Sequence, residues 1–146
     1  MENPNLPKVV PVPAQWKKRY GTGSMLVPSP RDVEKAMRSV RPGGLLTVAQ
    51  IRQRLARQYS TDVTCPLTTG IFVRIASEAA EEDRRAGKSR ITPYWRIVKD
   101  DGSLNPKLPG GVARQAQLLR AEGHQILPGQ GKRPPRVASR TSGMPV

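Results

Sequence analysis

Apolar residues recur at helical spacing in four stretches of this chain, and chain-breaking residues bound each stretch. Val33, Ala36, Met37 and Val40 share one helical face. Their helix opens at Ser29-Pro30-Arg31-Asp32, which supplies a cap, a proline at the first helical position and an acid three past the cap. Arg41-Pro42-Gly43-Gly44 ends it. Thr47 caps a second helix over about 48–58, with Val48, Ile51 and Leu55 inward and Arg52, Arg54 and Arg57 largely off that face. Ser60 to Pro66 reads as a turn. A third helix runs from Thr68 or Thr69 to Glu82, with Ile71, Phe72, Ile75, Ala76 and Ala79 as its buried stripe and Arg74 outside it. A charged loop, Asp83 to Arg90, leads to a strand over Ile91 to Val98. Asp100-Asp101-Gly102 then signals a turn, and Leu104 onward returns as a strand or loop. After Pro109-Gly110-Gly111, the residues Val112, Ala116 and Leu119 mark a last helix, with Gly123 at its C-terminal cap. Two helices joined by a short turn and followed by a hairpin predict a mainly α domain of the winged helix-turn-helix kind.

Length allows one domain of that size and little more, since the chain has 146 residues. Charge changes the picture most. Lys and Arg number 25 against 11 Asp and Glu, for a net +14 and a pI near 11.1. That balance favours a polyanion, either nucleic acid or an anionic membrane face. Residues 1–24 carry Lys8, Lys17, Lys18, Arg19 and Glu2, and residues 125–146 carry Lys132, Arg133, Arg136 and Arg140. Both ends are rich in Pro, Gly and Ser and poor in apolar residues, so mobile arms are expected around a domain at 25–124. Such arms either add salt-sensitive phosphate contacts or only keep the chain soluble. Trp16 is placed to pin the first arm to the domain.

One Cys and one His exclude a disulfide framework and zinc sites of the multi-cysteine kind. No cofactor is implied. No apolar run approaches the length of a membrane span, and the N-terminal prolines do not resemble a signal peptide. A cytoplasmic, nucleoid-associated monomer is the expectation.

Several segments in a fixed order are more specific. They are Thr47-Val48-Ala49-Gln50-Ile51, Thr92-Pro93-Tyr94-Trp95-Arg96-Ile97-Val98, Asp101-Gly102-Ser103-Leu104, Gly110-Gly111 and Leu118-Leu119-Arg120-Ala121-Glu122-Gly123-His124. Over about residues 27–124 the chain resembles the DNA-binding domain of the methylated-DNA-protein-cysteine methyltransferases. Where that family has Pro-Cys-His-Arg, this chain has Pro93-Tyr94-Trp95-Arg96. The acceptor cysteine is thus replaced by Tyr94 and its activating histidine by Trp95. The acid of the family's relay corresponds to Glu122, a usual lysine to Gln115, and a tyrosine beside the recognition helix to Val48. A phenol ionises near pH 10 and is a poor nucleophile at neutral pH. Without an adjacent histidine no general base is in sight.

The resemblance therefore implies a binding protein, not an enzyme, akin to the alkyltransferase-like proteins that flag alkylated guanine for excision repair. It implies duplex DNA contacts at Arg52, Thr68, Thr69, Arg74 and Arg96, with Arg74 filling the stack where a flipped nucleotide leaves. It implies a base pocket at Pro93, Tyr94 and Trp95. Strand alternation would send Tyr94 and Trp95 to opposite faces, one to the pocket and one to the core. A regulator or nucleoid protein without lesion recognition is the alternative. A displaced acceptor at Cys65 or Tyr94 is the enzymatic one. Cys65 otherwise reads as a small buried hydrophobe, and His124 as a surface or capping residue.

Overall fold

Three short β-sheets hold five helices together in the computed structural model, which describes residues 5–138. In chain order the elements are β1 (Lys8–Pro11), α1 (Lys17–Tyr20), β2 (Ser24–Val27), α2 (Pro30–Arg38), β3 (Leu46–Thr47), α3 (Val48–Gln58), β4 (Val63–Thr64), α4 (Pro66–Arg85), β5 (Ile97–Val98), α5 (Gly111–Ala121), β6 (Ile126–Leu127) and β7 (Arg136–Val137). Single 3-10 turns precede α1, at Ala14–Trp16, and β5, at Tyr94–Arg96. The fold is mixed α and β.

Local chemistry places α2, α3 and α5 where the sequence predicts them, whereas α4 starts earlier, at Pro66, and runs on to Arg85, and the short α1 is unexpected. Ser29 accepts from the Asp32 N–H at 3.1 Å, and Asp32 accepts from the Ser29 N–H at 3.0 Å. Thr47 and Gln50 form the same reciprocal box on α3, at 3.0 and 2.8 Å. At the end of α5, Gly123 adopts φ +97°. The Gly123 N–H donates to the Arg120 carbonyl and the His124 N–H to the Leu119 carbonyl, both at 3.0 Å, so the last carbonyls are satisfied.

Strand pairing departs from the expectation. Residues 8–24 do not form a free arm. β1 pairs antiparallel with β2, and β2 pairs parallel with β4. Val12 is buried with Met25 and Cys65, and Trp16 and Tyr20 pack on that cluster with their rings edge to face. Nor do residues 91–104 form a hairpin. Pro93 has no N–H to give a ladder, so the chain takes a 3-10 turn through Tyr94–Arg96 and only Ile97–Val98 becomes a strand. That strand pairs parallel with β3, Leu46 against Ile97 and Thr47 against Val98. The antiparallel hairpin lies further on, where β6 pairs with β7 inside the segment expected to be a loose tail. The last eight residues of that tail, 139–146, lie outside the described residues.

Besides the Val12, Met25 and Cys65 cluster, two larger apolar clusters form. The larger holds Leu26, Val33, Met37, Leu46, Ile51, Leu55, Val73, Tyr94 and Ile97 between α2, α3 and α4. The smaller holds Val98, Leu104, Ala116, Leu119, Ile126 and Val137 between α5 and the C-terminal hairpin. Trp95 packs against both. Each fully buried Leu, Ile or Met contributes about 1.5–3 kcal/mol.

Two carboxylates anchor the turn between the clusters. Glu81 accepts the Tyr94 hydroxyl at 2.8 Å and the Arg84 guanidinium at 2.9 Å. Arg84, and after it Tyr94, hold the Glu81 carboxyl below its ordinary 4.5 against the opposing effect of burial. Glu122 accepts Trp95 Nε1 at 3.0 Å and Arg96 Nη2 at 2.6 Å. Burial alone would raise Glu122, but the bonds from Arg96, Trp95 and the Gly43 N–H outweigh it and lower the value.

A carboxyl depressed on folding stabilises the fold above its unfolded pKa, and that stabilisation is lost as pH falls through the folded value. The melting temperature should therefore hold down to about pH 5 and fall below about 4.5, where carboxylates begin to protonate. Glu122→Gln combined with Glu81→Gln should flatten that acid limb. Thermal melts of the two proteins across pH check this.

Candidate functional site

The long helix α4 is turned relative to its sequence pattern. Its buried positions are Thr69, Val73, Ser77, Ala80 and Glu81. Ile71 and Ile75, expected inside, are 47% and 37% exposed, and Leu67 is 62% exposed. Phe72 and Ala76 do pack on the larger core, as expected. The inward side chains are small, which lets α2 and α3 pack closely against the helix. Their hydroxyls are satisfied within the helix itself, Thr69 donating to the Cys65 carbonyl and Ser77 to the Val73 carbonyl, each at 2.7 Å. An amphipathic helix that hides threonine and serine while showing leucine and isoleucine offers an apolar face to a partner.

Leu67, Gly70, Ile71 and Arg74 of that face form one wall of a groove of about 350 Å³. Its other wall is Lys99 and the loop Asn105-Pro106-Lys107-Leu108. Gln115 fixes that loop. Its side chain is fully buried on α5; Oε1 accepts the Asn105 N–H at 2.9 Å, while Nε2 donates to the Ile97 carbonyl at 2.8 Å and the Trp95 carbonyl at 3.1 Å. Asn105 then accepts the Lys107 N–H at 3.0 Å, closing the turn that presents Lys107 outward. Gly110 precedes α5 as its N-cap at φ +78°, where a Cβ would lie 2.5 Å from the Arg114 Cβ. Lys99 and Lys107 are exposed and, among the described residues, form no ion pair. Arg74 carries only an exposed pair with Glu78 at 3.4 Å, which costs little to give up. The first acid of α4 is Glu78, at the groove's edge beside Arg74, and the others follow it along the helix.

The expected site residues divide sharply. Arg74 lies in the groove wall and Thr68 on the first turn of the same helix. Arg52 is half-buried on α3, and its Nε has no hydrogen-bond partner. Thr69 is fully buried and faces the core. Arg96 is not a surface cation: it is clamped between Glu122 and the Val40 carbonyl, 2.7 Å away. Its guanidinium also lies over the Trp95 ring, 5.2 Å from the centroid.

The pocket expectation meets a filled space. Pro93 and Tyr94 are buried, Tyr94 completely, and Trp95 is half-buried. The Tyr94 and Trp95 rings meet edge to face at 5.4 Å. They sit on a 3-10 turn, so strand alternation does not apply to them. Burial, and then the bond to Glu81, push the Tyr94 phenol up to about 12, so it stays protonated at neutral pH. Cys65 is buried at the start of α4, its Sγ 3.3 Å from Thr68 Oγ1. Sequence reasoning missed Leu67, Gly70, Lys99, Asn105 and Lys107. The placement of Gly70 inside a helix was a readable signal, since glycine there costs stability without an internal reason.

No side chain at Gly70 would meet anything within 4 Å. Gly70→Ala should therefore stabilise the fold by about 0.5–1 kcal/mol, measured by denaturant titration. Tyr94→Phe should cost about 1–2 kcal/mol in the same assay, because a buried carboxylate loses a donor.

In comparisons with known proteins, no protein-family model matches this chain, and no curated protein and no solved structure matches it either.

Proposed function

We propose that this protein binds double-stranded DNA without catalysing a reaction, laying α4 and the Lys99 and Lys107 side of the groove against the duplex. The observation that carries the reading is the outward face of α4. Gly70 leaves room for close approach between the exposed Leu67 and Ile71, and three cations at the groove rim, Arg74, Lys99 and Lys107, suit phosphates. The helix pair α3 and α4, joined through residues 59–65, supports a helix-turn-helix manner of docking. The net +14 supports a polyanion. The buried, protonated Tyr94 and buried Cys65 support a binding role over alkyl transfer.

Recognition of alkylated guanine, with a hand-over to excision repair, rests on the sequence resemblance alone. Burial of Tyr94 weighs against a base held beside it and favours DNA binding without lesion sensing. A second reading has its own observation. Exposed Leu67, Ile71 and Ile75 would also suit an apolar protein partner or another copy of the chain.

Titration of the full chain against a labelled duplex, with and without one O6-methylguanine, separates these readings. DNA binding should weaken steeply with salt, and Arg74→Ala with Lys107→Ala should reduce the slope by about 2. Equal affinity for both duplexes is the expected result. Tyr94→Phe should leave that affinity unchanged. Absence of binding at low salt, or affinity indifferent to salt, would overturn the proposal.

A further inference from the structure

The C-terminal hairpin plays no part in the reading above, yet it is built with care. β6 and β7 pair Ile126 with Val137 and Leu127 with Arg136. Beyond them the chain closes through Gly131-Lys132, with Gln130 and Arg133 exchanging backbone bonds at 3.0 and 2.8 Å. Gly131 takes φ +57°. At Gly129 a Cβ would lie 2.5 Å from the Arg133 carbonyl oxygen, so only glycine fits. Pro128, Pro134 and Pro135 restrict the rest of the segment. Ile126 and Val137 fasten its base to α5 through the smaller core.

Register sets the direction of the hairpin. Ser103 bridges Arg136 antiparallel, and the Leu104 N–H donates to the Pro135 carbonyl at 2.9 Å. Forward from Leu104 the chain reaches Asn105, Pro106 and Lys107. Backward from Pro135 it reaches Arg133 and Lys132. In an antiparallel pair those two directions coincide, so from the bridge the hairpin and the loop that carries Lys107 set out in the same direction. Apart from Asp100 and Asp101 beside Lys99, the charge there is positive. After Asp101 the only acid is Glu122, which Arg96 neutralises at 2.6 Å. Lys132 and Arg133 are exposed and, among the described residues, form no ion pair.

We propose that the hairpin spanning residues 126–137 is a second DNA contact, a preformed basic ribbon whose Lys132 and Arg133 grip phosphates of the duplex that α4 faces. It rests on the reading of the α4 groove as a DNA site. It supplies the antiparallel hairpin that the sequence pattern assigned to residues 91–104.

The test measures the affinity of the full chain for a plain duplex across salt concentration. Lys132→Ala with Arg133→Ala should lower the salt slope by about 2, one counterion for each lost phosphate contact. Arg85→Ala with Arg90→Ala removes equal charge near the far end of α4, about 17 Å along the helix from Arg74, and should leave the slope unchanged. Gly129→Ala keeps every charge but cannot hold the turn, and should bind more weakly than the parent. Equal falls in the two double variants would reduce the effect to net charge and overturn the ribbon. Parental affinity in Gly129→Ala would show that a loose tail suffices and overturn it as well. Parental binding with an unchanged slope in Lys132→Ala with Arg133→Ala defeats the hairpin proposal alone. Failure of the parent chain to bind defeats it together with the function it rests on.

Discussion

Three consecutive residues on one 3-10 turn hold the two halves of this molecule together. Tyr94 reaches Glu81 on α4, and Trp95 and Arg96 both reach Glu122 at the end of α5. The turn is short because Pro93 precedes it and β5 follows at once. Each side chain crosses a different boundary. Tyr94 fills the larger core, Trp95 spans both cores, and Arg96 continues to the Val40 carbonyl beyond α2. A buried carboxylate is costly unless its oxygens are fully bonded, and here they are. Loss of Glu122 would strand a largely buried guanidinium, an error worth about 3 kcal/mol or more.

Tyr94 is a wedge with a hydrogen-bonded tip. Its phenol pairs with a carboxylate that α4 turns inward, and α4 can turn it inward because its other inward residues are small. The same rotation sends Leu67, Ile71 and Ile75 outward. Closing the space at residue 94 and opening an apolar face on α4 are thus two effects of one helix orientation. The groove follows, since Gln115 holds the opposite loop at a fixed distance through three bonds to backbone groups.

Capping and helix extent were legible because their chemistry is local. Ser29 with Asp32, Thr47 with Gln50, and Gly123 after Leu119 each act within a few residues. The orientation of α4 was not legible. Its sequence offers two stripes with the same period, and the more hydrophobic one is the wrong choice when neighbouring helices need small residues for close contact. Sheet pairing was hidden for another reason. Two-residue strands such as Leu46–Thr47 and Ile97–Val98 show no alternation to read, and their partners lie far along the chain. The ends were misjudged by composition. Proline-rich and basic segments read as loose, yet Val12 and Val137 are each buried at 2% and 8% exposure and fix the segments around them. That Arg74 lies on an exposed helix face was legible because it combines charge with helical spacing. Lys107 was missed because only the loop geometry brings it opposite.

Both parallel strand pairs close long loops. Met25 meets Val63, and Leu46 meets Ile97. Neither contact is made until much of the intervening chain has been laid down, so the closure entropy comes early and the reward late. The capped helices α2 and α3 are free to form from neighbouring residues. The β3–β5 ladder, and with it the seating of α5, has to wait for α4. Assembly should therefore proceed from the amino-terminal helices toward the carboxyl end, and a nascent chain released before residue 98 would lack the strand that joins its two cores.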